Sequence, residues 1–130
     1  MQAKVIWERD LNFLAECESG QTTRLSGNGE HLSPMEAVLS AVGGCSSIDV
    51  VMILQKSRQE ITGCECNLEA KRAENDPKVF TNIHAHYVIS GKDISEHHVK
   101  RACGLSLEKY CSVALMLTGN VDITHSYEIV

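Results

Sequence analysis

The alternation of apolar and polar side chains predicts a chain that opens on β-strands. Val5, Trp7, Leu11, Phe13, Ala15 and Cys17 share one parity, with Glu8-Arg9-Asp10 as a turn between two runs. A third short strand is expected over about 21–25, followed by a loop, Ser26-Gly27-Asn28-Gly29, whose glycines reach positive φ at little steric cost.

At Ser33 the pattern changes period. Ser33 stands as N-cap, Pro34 at the first helical position and Glu36 three residues after the cap, which completes a capping box. From Ala37 to Gln55 the only charge is Asp49, and apolar residues surround the axis, so the helix must be covered on every side. A stretch of about 20 apolar residues also matches a bilayer span. Asp49, Cys45-Ser46-Ser47 and Gly43-Gly44 sit in its middle, however, where polar groups are expensive in lipid, so the reading is a core helix with no membrane partner. One small domain has few elements to cover it, so a second subunit is expected to supply part of the cover.

Residues 61–72 and 78–90 predict a hairpin around Glu74-Asn75-Asp76-Pro77. Registered by apolar parity, Leu68 faces Ile83 and Cys66 faces Ala85. Ser95 caps a helix through Val99 and Ala102 to about Gly104, which marks a kink or break; LSLEKYCSVALML follows as a second helical stretch to Leu117. Gly119-Asn120 then turns into a last strand with Val121, Ile123, His125, Tyr127 and Ile129 on one face. Six strands and two or three helices make an α+β fold, read as a single domain over 1–130.

Composition narrows the function. The chain has 130 residues, 43% hydrophobic and 22% charged, the balance of an ordinary folded domain. The net charge is −5 and the twelve Lys and Arg are scattered, so no phosphate footprint and no nucleic-acid partner are expected. The opening MQAKVIWERD lacks the basic start and apolar run of a secretory signal, and a cytoplasmic protein is expected. Six cysteines are many for a compartment that keeps thiols reduced, which disfavours a structural disulfide framework.

Cys64-x-Cys66 and His84-x-His86 are pairs of metal-ligand types at strand spacing. The apolar register puts them on opposite faces, so no metal is expected and the hairpin histidines should be metal-free. His97 and His98, adjacent on a helix, do not share a face and read as solvated. Cys17, Cys64, Cys66 and Cys103 fall at apolar positions and read as packing residues shielded from oxidation by burial. Cys45 lies among Gly43, Gly44, Ser46 and Ser47, small residues that leave room for a ligand or another chain. Cys111 follows Lys109 near the start of a helical turn, where a helix N-terminus and a cation favour thiolate. From the residues alone both cysteines remain open between packing and chemistry.

Together, SPMEAVLSAVGGCSSIDVVMILQ and EKYCSVALMLTGNVDITHSYEI resemble the two signature regions of the OsmC/Ohr family of thiol peroxidases, and within it the YhfA-like branch, over essentially the whole chain. The resemblance implies an intertwined homodimer in which about six strands wrap a long buried central helix. It implies Cys45 as the peroxidatic and Cys111 as the resolving cysteine: the Cys45 thiolate attacks an organic hydroperoxide, an alcohol leaves, and the sulfenic acid is captured as a Cys45–Cys111 disulfide. It further implies an external dithiol reductant, lipoyl-like in related enzymes, and no resident cofactor.

By the same resemblance Arg24, in TTRLSGNG, is the candidate to stabilise the thiolate, with Arg9 behind it, and Glu36 the candidate to hold that arginine. Relatives commonly carry Pro-Glu where this chain has Pro34-Met35-Glu36, and one residue turns a helical side chain by about 100°. Ser112 stands where many relatives have proline. The displaced Glu supports a rival reading, an OsmC-like dimer that binds a small molecule or senses thiols with little turnover.

Overall fold

The computed structural model describes all 130 residues, as two compact units, Met1–Val38 and Leu39–Val130. The first unit holds an antiparallel sheet in the order β1 (Ala3–Arg9), β2 (Asn12–Cys17), β3 (Thr22–Ser26). Trp7 faces Phe13 and Phe13 faces Leu25, so the expected parity is present. The turn falls later than expected: Arg9 pairs with Asn12, which places Asp10 (φ 46°) and Leu11 at the tip, where Asp tolerates the left-handed region. Within a single chain β1 is exposed along its whole length, and Cys17 is exposed too, against the expectation that burial would shield it.

Helix α1 (Pro34–Lys56) starts as its sequence dictates. The Ser33 amide donates to Glu36 Oε2 at 2.8 Å and the Glu36 amide donates to Ser33 Oγ at 3.1 Å, the reciprocal capping box. Such a cap contributes about 0.5–2 kcal/mol. By length and composition α1 could cross a membrane. In this fold Val42, Ser46, Val50 and Leu54, four residues apart, form a buried stripe, whereas Ile48 and Met52 on the helix are exposed. Within one chain, then, the helix is covered on one side rather than on all.

The second unit contains the sheet β4 (Glu60–Arg72), β5 (Phe80–Lys92), β6 (Asp122–Ile129), with β4 and β5 antiparallel and β5 and β6 parallel. The hairpin is offset by two residues from the expected register: Leu68 faces Ala85 and Cys66 faces Tyr87. The cause lies at the loop, where the Ala73 amide donates to the Val79 carbonyl, centring closure on Asp76, and a bulge at Lys71/Arg72 adds a residue. An even offset keeps every side chain on its face. Ile83, Ala85, Tyr87 and Ile89 are buried. His84 and His86 lie on the other face, joined to β6 through Thr124 and Ser126 at 2.7–2.8 Å and Glu128 at 3.3 Å. The core gathers these strand residues with Val50, Leu54, Val99, Ala102, Cys103 and Cys111.

Helix α2 (Glu96–Leu105) runs through Gly104 without a break and continues as one π-helical turn, Ser106–Tyr110. The break comes at Cys111, whose extended backbone (φ −69°, ψ 101°) separates that turn from α3 (Ser112–Leu117). Ser95 occupies the N-cap of α2 but makes no side-chain cap hydrogen bond. On β5, a Cβ at Gly91 would strike the Glu60 carbonyl oxygen. Gly91→Ala is therefore expected to lower stability by about 1–3 kcal/mol, read as a lower urea midpoint at unchanged slope. Wild-type stability would show that β4 yields at no cost.

Candidate active site

The site is built from α1 and the turn between α2 and α3. Cys45 sits on α1 beside Ser46, which is fully buried and accepts from Tyr87 Oη at 2.6 Å while its own hydroxyl donates to the Gly43 carbonyl at 3.2 Å. A Cβ on Gly43 would lie 2.6 Å from Leu68 Cδ1, so glycine lets α1 approach β4 closely. Those contacts fix the rotation of α1 and with it the direction of Cys45.

On the facing segment, the Cys111 amide donates to the Ser106 carbonyl at 2.7 Å, closing the π-helical turn. Cys111 is the N-cap of α3, and its Sγ accepts from the Ala114 amide at 3.4 Å. Ser112 brings its Oγ to 3.8 Å from Cys45 Sγ. The structure thus brings Cys45 and Cys111 into one site.

Their environments differ. Burial pushes the Cys45 thiol up, but hydrogen bonds from the Val113 amide, the Cys111 thiol and the Ser112 hydroxyl outweigh it, and against the opposing charge of Asp49 the thiol lies below its ordinary value. Cys111 is completely buried, and that burial pushes its thiol up to about 11 against the pull of the Ala114 amide, with Cys45 and Asp49 adding to the rise. The expectation that a helix start and Lys109 would favour a Cys111 thiolate is overturned: desolvation exceeds the pull of a short helix. The two thiols are thus shifted in opposite directions, Cys45 below its ordinary value and Cys111 above it.

Burial likewise raises Cys64 and Cys66, and Cys103 to about 12, in line with packing roles. Glu36 is engaged by its capping box, and the Ser33 amide holds its carboxyl below the usual range. Arg24 forms a two-pronged pair with Glu8, at 3.1 and 3.2 Å, and Arg9 pairs with Glu30 at 2.8 Å. Both candidate arginines and the candidate glutamate are therefore engaged inside the first unit.

The sequence did not reveal Ser106 and the Val113 amide. Ser106 is fully buried, and its single hydroxyl proton lies between the Ser46 carbonyl (3.1 Å) and Asp49 Oδ2 (3.0 Å). Its only advance signal was the lone charge of α1, which needs a buried partner.

The model of the OsmC-like protein family matches residues 27–126. Protein YhfA of Escherichia coli strain K12 is 52% identical over 132 aligned residues, which span all of this chain and 98% of the relative. Among solved structures, a hypothetical protein from Aquifex aeolicus VF5 superposes with a TM-score of 0.92 at 33% identity, over 99% of this chain and 95% of that one. An organic hydroperoxide resistance protein from Elizabethkingia anophelis shares the fold with a TM-score of 0.75 at 9% identity, over 98% and 94% of the two chains. A thiol pair seated between a Pro-initiated core helix and a late helical turn, in a chain matched over this length, places it within a known group: the chain belongs to the OsmC-like protein family.

Proposed function

We propose that the chain is a cysteine-based thiol peroxidase that reduces organic hydroperoxides to alcohols. The observation that carries this is the asymmetry of the thiol pair, a partly exposed Cys45 held below its ordinary value against a buried, protonated Cys111. The Cys45 thiolate attacks one peroxide oxygen; the S–O bond forms as the O–O bond breaks, and the departing alkoxide takes a proton to leave as alcohol. Cys111 then displaces the sulfenic oxygen as water and closes the Cys45–Cys111 disulfide, which an external dithiol, lipoyl-like in character, reduces. The reading requires no resident cofactor or metal and places the work in a reducing, cytoplasmic setting. It takes the protein as a homodimer, whose second chain covers the exposed side of α1. The hydroperoxide resistance named for the Elizabethkingia relative supports the choice of substrate class.

Treatment of the reduced protein with cumene hydroperoxide, followed by mass mapping of thiols, should find the Cys45–Cys111 disulfide as the first product, with Cys64, Cys66 and Cys103 reduced. Initial oxidation of another pair would defeat the assignment. A second reading has one observation in its favour: with Glu36 spent on its cap and Arg24 on Glu8, the family's helpers are not free. That fits an OsmC-like dimer that binds a small molecule or senses thiols with little turnover. Protein with fully reduced thiols that is inert toward several hydroperoxides and dithiols would favour it.

A further inference from the structure

Between Ala37 and Gln55, α1 carries one charge, Asp49, and the first chemical step has no use for it. It stands four residues after Cys45, one turn along the same helix face, where its negative charge opposes the Cys45 thiolate. A charge on a core helix also costs desolvation. The resolving step has the opposite need. With its thiol pushed up to about 11, Cys111 is held as the thiol at neutral pH, so disulfide closure requires a group to take the proton.

The fold holds a carboxylate close enough for its charge to act on that thiol. Ser106 holds Asp49 Oδ2 at 3.0 Å through its hydroxyl and the Cys111 amide at 2.7 Å through its carbonyl, so one buried residue fixes both the carboxylate and the backbone of the resolving cysteine. Asp49 also lines a cavity of about 490 Å³ with Met52, Ile53, Lys56, Arg101 and Tyr110. The titratable groups that act on Cys111 are Cys45 and Asp49 from α1 and Tyr87 from β5. Burial raises the Tyr87 phenol, so it stays neutral across the working range, and Asp49 is the one carboxylic side chain among them.

We propose that Asp49 is the base of the resolving step, taking the Cys111 thiol proton as the Cys111 sulfur attacks Cys45. The inference rests on the thiol-peroxidase reading for its physiological setting. In the balanced step the S–H bond of Cys111 breaks and the S–S bond forms while the S–O bond of the Cys45 sulfenic acid breaks. The departing hydroxide collects the proton held by Asp49, which leaves water and a regenerated carboxylate.

The test separates this role from peroxide chemistry by using 4,4′-dithiodipyridine as the oxidant, on protein carrying Cys17→Ser to silence the exposed thiol. A first thiopyridone reports attack by Cys45, and a second reports its displacement by Cys111. Asp49→Asn should leave the first release equal or faster, since the opposing charge is gone, and slow the second at least about tenfold at pH 7. Between pH 7 and 10 the slowed release should climb about tenfold per pH unit, because the Cys111 thiolate is then its only route, while the parent rate stays nearly flat. Asp49→Glu should recover part of the rate. A second release at the parent rate in Asp49→Asn, or a deficit that does not shrink with pH, would overturn the proposal, the latter marking a packing role. With cumene hydroperoxide, dimedone should trap more Cys45 sulfenic acid in Asp49→Asn than in the parent. A parent protein that forms no sulfenic acid removes the peroxidase reading, and the pyridyl second release still decides the role of Asp49.

Discussion

Cys45→Ser is expected to reduce peroxide turnover to background, whereas Cys111→Ser is expected to complete about one turnover and stop. The difference follows from the role that the proposed reaction gives each sulfur. Cys45 makes the bond to oxygen, and a serine hydroxyl in the same place is neither ionised nor a comparable nucleophile at neutral pH. Cys111 enters only after the alcohol has left. Without it the first attack proceeds, the Cys45 sulfenic acid persists, and excess peroxide drives it to the sulfinic form. The loss of Cys111 should even be mild for the first step, because the Val113 amide and the Ser112 hydroxyl still face Cys45. Single-turnover and steady-state rates with cumene hydroperoxide and a dithiol separate the cases. Equal single-turnover activity in both variants would erase the assigned roles.

The features of this site that were legible in the sequence are those set by short-range chemistry. The capping box at Ser33 and Glu36 is one, because four consecutive residues decide it. The same fact works against a catalytic use of Glu36, whose carboxylate already has partners. Parity placed Cys64 and Cys66 on the core face and the hairpin histidines on the other, because side-chain alternation survives any even shift. The register itself depended on where the 73–79 loop closes and on a bulge, which composition does not reveal.

The break in the second helical region was misplaced for a related reason. Gly104 has the low helix propensity that invites a break, yet tertiary context carries α2 through it, and the chain turns at Cys111 after the Ser106 carbonyl has captured the Cys111 amide. Ionisation was the least legible property. Lys109 and a helix start both argued for a Cys111 thiolate, and complete burial reversed the outcome. The exposure of Cys17, at the end of the partly buried β2, likewise does not follow from its parity.

Sedimentation at low micromolar concentration should find two chains, and Ile48→Asp should separate them. Helix α1 uses its buried stripe of Val42, Ser46, Val50 and Leu54 within its own chain. Ala41, Gly44, Ile48 and Met52 are exposed on the same helix, with Ile48 63% and Met52 47% exposed. The two adjacent glycines differ in the same sense: a Cβ at Gly43 would strike Leu68, while one at Gly44 would meet nothing within 4 Å, so the space beside Gly44 is open to another backbone. Fully burying an aliphatic side chain contributes about 1.5–3 kcal/mol, so Ile48 and Met52 together offer several kcal/mol to an association that covers them. A carboxylate at position 48 would forfeit that gain and place an unpaired charge in the contact. The expected outcome is a fall in Tm of about 10 °C, together with loss of the concentration dependence of Tm that the wild-type dimer should show. Wild-type protein that stays monomeric and folded at that concentration would refute the dimer, and a dimer unaffected by Ile48→Asp would move the contact away from this side of α1.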